Sequence, residues 1–233
     1  MTTFSELPLS SALQRKLAAA QFTNLTPIQQ RTIPPALEGR DVIGTAQTGT
    51  GKTLAFLIPL IEALDRESTR STVALVLLPT RELAIQVHEQ YEQLRTKRMS
   101  KAALIIGGVT EKGQIQSLRA GSQLVIATPG RLQDLINRKF ADLQNVEILV
   151  LDEADRMLDM GFLPAIRRIL SALPEQRQTL CFSATMEQSV SGLVIEYLRN
   201  PIRVTLGSVL KPAERQRVPV QHPGQAGRRE AQA

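Results

Sequence analysis

The chain has 233 residues, of which 42% are hydrophobic and 21% charged, and its net charge is +6. That balance excludes a disordered chain, and no run of 18 apolar residues is present to span a bilayer. One cysteine, Cys181, and two histidines exclude an intramolecular disulfide and any metal site built from cysteine or histidine clusters. In chain order, seven short apolar, β-branched runs read as strands: 42–46, 73–79, 102–107, 123–127, 148–152, 178–183 and 202–206. They are nearly continuous rather than alternating, as strands buried on both faces should be. Helical patterns fall near 10–20, 27–37, 52–64, 81–97, 113–119, 130–137, 163–172 and 187–198. Strand–helix alternation predicts an α/β fold, a mostly parallel central sheet with helices on both faces. Ligands of such sheets sit at the carboxyl ends of the strands.

The globular part is expected to end at 209, and residues 210–233 read as a flexible basic tail or linker, with three prolines, two glycines and little to bury. Half of the net charge sits in residues 211–233, where five Lys or Arg face two Glu. The body is therefore only mildly basic. With eight aromatic residues and no tryptophan, a nucleic-acid ligand would be gripped by its backbone rather than by stacked bases. The first 25 residues lack a basic, apolar, small-residue leader, so an intracellular, cytoplasmic protein with no membrane partner is expected.

The strongest chemical signal is Ala46-Gln47-Thr48-Gly49-Thr50-Gly51-Lys52-Thr53, between the first strand and a helix. Glycines let several backbone N–H groups converge on one anion, and the helix adds its positive end. Lys52 supplies a charge for β and γ phosphates, and the Thr53 hydroxyl suits Mg²⁺. The strict pattern has glycine where this chain has Ala46. A plain Gly/Thr turn before an amphipathic helix is the bland alternative. One hundred residues later the strand 148–151 runs into Asp152-Glu153-Ala154-Asp155. Two carboxylates ending a buried strand are costly unless a cation awaits them. Asp152 would hold the metal and Glu153 would polarise an attacking water; an acidic helix cap is the alternative. Both readings require Lys52 and Asp152 to converge across adjoining strand tips. Ser183-Ala184-Thr185 ends the next strand, where small hydroxyls could bond a carboxylate such as Asp155 or simply cap a helix.

Together with Pro79-Thr80-Arg81-Glu82-Leu83-Ala84, Gly107-Gly108, Thr128-Pro129-Gly130-Arg131 and the run 156–162, these segments resemble, in order and spacing, the motifs of the DEAD-box ATP-dependent RNA helicases, most of all bacterial RhlE-type members. The resemblance covers about residues 4–209 and implies a P-loop RecA-like domain. Upstream, Phe22 and Thr26-Pro27-Ile28-Gln29 resemble the family's Q motif, with Phe4 as its isolated aromatic. Gln29 is then implied to read the adenine edge, while Phe4 and Phe22 either stack on the base or pack in the core. Gln21 and Leu25 stand where the family often has glycine and proline. The resemblance further implies that Pro79, Thr80, Arg81, Gly107, Gly108, Thr128, Pro129, Gly130 and Arg131 line an RNA backbone path. It implies that Asp155, Ser183, Ala184 and Thr185 couple that path to the ATP site, and that ATP and Mg²⁺ are the cofactors. Backbone gripping of this kind reads no base sequence. A second RecA-like domain completes the family's active form; no counterpart of its motifs occurs here, and the chain is expected to be monomeric. Two other classes compete: a non-catalytic module holding RNA or a protein, and an unrelated P-loop enzyme such as a small kinase or DNA-directed ATPase.

Overall fold

Nearly unbroken apolar strands are stable only where helices cover both sides of their sheet. The computed structural model, which describes residues 2–66 and 69–206, has that arrangement. After a single 3-10 turn at Phe4–Glu6 come α1 (Ser11–Ala19), α2 (Pro27–Leu37), β1 (Val42–Thr45), α3 (Lys52–Arg66), β2 (Ala74–Leu77), α4 (Arg81–Leu94), β3 (Ala103–Ile105) and α5 (Glu111–Arg119). Then follow β4 (Leu124–Ala127), α6 (Pro129–Asn137), β5 (Ile148–Leu151), α7 (Ala154–Asp159), α8 (Leu163–Leu170), β6 (Gln178–Ser183), α9 (Gln188–Tyr197) and β7 (Ile202–Thr205). The strands form one sheet in the order β3-β4-β2-β5-β6-β1-β7, and every pairing is parallel.

Successive strand residues point to opposite faces, which divides the core in two. Ala74, Val76, Leu124, Ile126 and Val150 pack with α1 to α4. Leu75, Leu77, Val125, Leu149 and Leu151 pack with the apolar sides of α6 to α9, and Ile115 and Leu118 of α5 lean on the same layer. All seven strands thus lie within two residues of their sequence-read bounds at each end.

Three features differ from the sequence reading. Residues after Asp152 form a separate short helix, α7, broken from α8 at Gly161, whose φ of 78° no helix continues. Helix α4 ends at Leu94, because Arg95 turns to extended backbone, its guanidinium donating to the carbonyl of Met99 at 3.1 Å. Strands β1 and β5 are not adjoining, since β6 lies between them. The tail expected at 210–233 lies outside the described residues.

Candidate nucleotide and nucleic-acid sites

The phosphate loop leaves β1 at Thr45 and enters α3 at Lys52. Its first residue, Ala46, is 1% exposed, donates its N–H to the carbonyl of Ser183 at 3.0 Å, and is absent from the left-handed conformations that call for glycine. A methyl is therefore accommodated where the strict pattern has glycine. Gly51 is different. Its φ is 91°, and a Cβ there would collide with the Gln29 amide. That amide braces the loop: Gln29 Nε2 donates to the Gly51 carbonyl at 2.9 Å, and its Oε1 accepts from the Thr26 N–H at 2.9 Å. Lys52 is buried, with Nζ donating to the Ala46 carbonyl at 3.0 Å. The Thr50 hydroxyl donates to the Gln47 carbonyl at 2.7 Å.

The loop opens on a cleft of about 480 Å³. Thr48, Gly49, Gly51, Lys52 and Thr53 line it from the loop, Thr26 and Gln29 from α2, and Asp152 and Glu153 from the tip of β5. Lys52 and Asp152 thus meet in one cavity with a strand between their own, whereas Ala46, Gln47 and Thr50 support the loop without lining the cleft. Phe4 packs in the apolar core, 3% exposed, and also lines the cleft, as does the partly buried Phe22. Gln21, just before Phe22, takes φ 62°, the left-handed region in which glycine is at ease. The buried Thr26 hydroxyl faces the Gln29 backbone N–H in a loose capping box at the start of α2, and it makes no close hydrogen bond among the described residues. Sequence reasoning missed Asn24, Leu54, Leu83, Gln86 and Gln90 on the cleft wall.

Burial pushes the Asp152 carboxyl up to about 6, against the pull of the Lys52 ammonium and of the Glu153 N–H, which it accepts at 3.0 Å. Glu153 has φ 50° and ψ 49°, a left-handed conformation worth ~1–3 kcal/mol of strain for a non-glycine residue. Its carboxylate pairs with Arg156 at 3.2 Å. Asp155 turns to the other side. Its Oδ2 accepts the N–H groups of Ala184 at 3.1 Å and Thr185 at 2.9 Å and the Thr185 hydroxyl at 3.0 Å, while its own N–H donates to Ser183 Oγ at 3.3 Å. Burial raises its carboxyl, but the backbone N–H groups of Thr185 and Arg156 and the hydroxyls of Ser183 and Thr185 outweigh burial, and the net displacement is downward.

A second, shallower groove of about 400 Å³ lies at the ends of β2, β3 and β4. Pro79, Thr80 and Arg81 line it with Gly107, Thr128, Gly130 and Arg131. Thr80 caps α4 through the Leu83 N–H at 3.3 Å. Arg81 Nη1 donates to the Gly107 carbonyl at 3.1 Å and lies against Gly108, whose φ is 74° and where any Cβ would collide with the guanidinium. Gly108 and Pro129 thus shape the groove without lining it. Arg131 Nη1 is buried with no partner among the described residues. Met160, 49% exposed, and Phe162 from the α7–α8 turn and the exposed Glu82 from α4 complete the wall. Met160 and Phe162 belong to the run 156–162, but its sequence carries no signal that they face a ligand.

A phosphate loop at β1, acidic residues at β5 and a hydroxyl segment at β6 of one parallel sheet define a P-loop domain of the RecA-like kind. The chain belongs to the DEAD/DEAH box helicase family, which matches residues 26–193. It is 46% identical over 205 residues to the DEAD-box ATP-dependent RNA helicase CshA of Streptococcus pneumoniae, covering 88% of this chain and 39% of the relative. It is 45% identical over 203 residues to the ATP-dependent RNA helicase CshA of Limosilactobacillus reuteri, covering 87% and 41%. The chain spans about two fifths of the length of these curated relatives. The crystal structure of a DEAD box protein from the hyperthermophile Methanococcus jannaschii superposes with a TM-score of 0.84 at 38% identity, over 88% of this chain and 56% of that one. The relatives are named CshA; the RhlE-type likeness is a finer assignment than family membership.

Proposed function

We propose that this chain is the ATP-binding RecA-like domain of an RNA helicase, binding Mg²⁺-ATP in the 480 Å³ cleft and the RNA backbone in the groove at β2, β3 and β4. The carrying observation is that Lys52, Thr53, Asp152 and Glu153 share one cavity with Thr26 and Gln29. The buried Asp152 carboxylate, which accepts a single N–H, is the group a cation-bearing ligand would satisfy. Among the described residues no three His, Cys, Asp or Glu gather to hold a metal alone. That suits Mg²⁺, which is commonly held by one or two carboxylates together with substrate phosphates.

In this reading Thr53 and Asp152 hold the ion, which neutralises phosphate charge when bound. Lys52 exchanges the Ala46 carbonyl for phosphate oxygens, and the loop N–H groups cradle them. Glu153 orients the attacking water, its backbone fixed by the sharp turn out of β5. Gln29, its amide held between Thr26 and Gly51, ties base recognition to the shape of the loop. Arg81 and the unpartnered Arg131 grip phosphates, and neither they nor Thr80 and Thr128 read sequence. Asp155, clasped by the backbone N–H groups of Ala184 and Thr185 and by the Thr185 hydroxyl, links the carboxylate turn to β6. A second RecA-like domain, a monomeric state and a cytoplasmic location complete the proposal. Alone, this chain hydrolyses ATP slowly or not at all, because an arginine supplied from outside such a site is worth ~10³–10⁵ in rate.

The test is calorimetric titration of the 233-residue chain with Mg²⁺-ATP and Mg²⁺-GTP. ATP is expected to bind and GTP to bind far more weakly, and Lys52→Ala should weaken ATP by about a hundredfold or more. Equal affinity for the two nucleotides would overturn base recognition, and an indifferent Lys52→Ala would overturn the phosphate loop.

A further inference from the structure

Helix α4 contributes to the nucleotide cleft through Leu83, which lies within the segment 79–84, and through Gln86 and Gln90, which belong to none of the motifs above. Its core stripe is Ala84, Val87, Tyr91 and Leu94. Beside that stripe, Leu83, Gln86 and Gln90 recur at three- and four-residue spacing, which places them on one helix face, and all three line the cleft. Neither the Gln86 nor the Gln90 side chain has a hydrogen-bond partner among the described residues, and both line the cleft that the buried Asp152 carboxylate also lines.

Topology says which end of the cleft they serve. Gln29 lies on α2, which packs over β1 and β7. Helix α4 leaves the tip of β2, and β2 pairs with β5, whose tip carries Asp152 and Glu153. The two glutamines therefore stand on the carboxylate side of the phosphate loop, away from Gln29. Because α4 runs back from the strand tips, Gln86 is one turn nearer those tips than Gln90. A primary amide donates two hydrogen bonds and accepts two, so it can meet both a phosphoryl oxygen and a water.

We propose that Gln86 contacts the terminal phosphoryl group of the bound triphosphate and so distinguishes ATP from ADP, with Gln90 as a more distant wall. This rests on the nucleotide reading of the cleft. The experiment compares Mg²⁺-AMPPNP and Mg²⁺-ADP binding to the 233-residue chain by calorimetry, for the parent, Gln86→Ala, Gln86→Glu and Lys52→Ala, with melting curves to confirm that each is folded. Gln86 is exposed, so its replacement should leave melting unchanged. Gln86→Ala should weaken AMPPNP about three- to tenfold, the ordinary worth of one or two hydrogen bonds, and leave ADP within twofold. Gln86→Glu, which sets a negative charge against phosphate, should weaken AMPPNP further. Unchanged AMPPNP affinity, or equal loss for both nucleotides, overturns the proposal while Lys52→Ala still abolishes binding. If Lys52→Ala is also silent, the nucleotide reading itself fails.

Discussion

Asp41 and Asp152 are both 6% exposed, and they sit at opposite ends of the same sheet. Asp41, just before β1, has both carboxylate oxygens engaged: Oδ1 accepts the Thr179 N–H and Oδ2 the Arg199 N–H, each at 2.7 Å. Its carbonyl also accepts from Ile202 at 2.8 Å, so one residue ties together the starts of β1, β6 and β7. Asp152, at the end of β5, accepts one N–H, that of its neighbour Glu153. A carboxylate offers about four acceptor positions. Equal burial therefore conceals opposite purposes. The amino end of the sheet uses its acid up in holding strands together. The carboxyl end keeps an acid largely unspent, and burial lifts its pKa to about 6. Unspent carboxylate capacity, more than burial, separates the two acids; buried polar atoms without a close hydrogen-bond partner among the described residues occur at both ends, Arg131 Nη1 and the Thr26 hydroxyl at the carboxyl end and Thr179 Oγ1 and Arg177 Nε at the amino end.

The largest expected effect breaks the satisfied end. Asp41→Ala leaves the buried Thr179 N–H and the part-buried Arg199 N–H without their charged acceptor and should cost about 3–5 kcal/mol in urea unfolding. Nucleotide affinity of the folded protein should stay within twofold, since Asp41 is outside the cleft. If the alanine variant does not fold, Asp41→Asn, which retains one carbonyl oxygen, should fold with about half the loss. A cost below about 1 kcal/mol would mean that Asp41 is not the strand tie its geometry suggests.

The second effect has the opposite sign. A carboxyl whose folded pKa is raised holds its proton more tightly in the native state, so stability falls as pH rises between the two values. For Asp152 the window runs from about 4, its unfolded value, to about 6. Below it the group adds no penalty; above it the penalty is complete, at about 3 kcal/mol as an upper figure. Asp152→Asn cannot ionise, so in metal-free buffer it should match the parent at pH 4 and exceed it in stability at pH 7. The same variant should lose Mg²⁺-dependent nucleotide binding. A variant less stable than the parent at pH 7 would place Asp152 with Asp41 as a structural acid.

The two ends were unequally legible in the sequence. Strands could be read almost to the residue because burial on both faces leaves no choice but apolar, β-branched runs. The phosphate loop and the acidic turn were legible because their chemistry needs fixed residues at fixed local spacing. Asp41 carried no signal, since its partners Thr179 and Arg199 are far away in the chain and donate only backbone N–H groups, which any residue could supply. Gln86 and Gln90 were invisible for a related reason: a polar helix face looks the same whether it meets solvent or a cleft. The order β5-β6-β1 was also hidden, because parallel crossovers leave no mark on which strands pair. Helix α7, six residues long, is too short to show a period.

The smallest effect tests an acid between the two extremes. Asp155 is only partly buried, yet it accepts three hydrogen bonds from Ala184 and Thr185. Its carboxyl is displaced downward even though burial alone would raise it, the backbone N–H of Thr185 being the leading opposing cause. The stabilisation it brings is thus present above its unfolded value near 4 and disappears as pH falls through the lower folded one. Thr185→Ala deletes one hydroxyl donor and keeps both N–H groups, so it should cost about 0.5–1.5 kcal/mol at pH 7. Part of that cost should fade below about pH 4, as Asp155 takes up its proton in both proteins. Thr185→Ser, which keeps the hydroxyl, should recover most of the loss. A serine variant no better than alanine would show that the methyl group, rather than the bond to Asp155, is what matters at this position, and the acid would then be held by backbone alone.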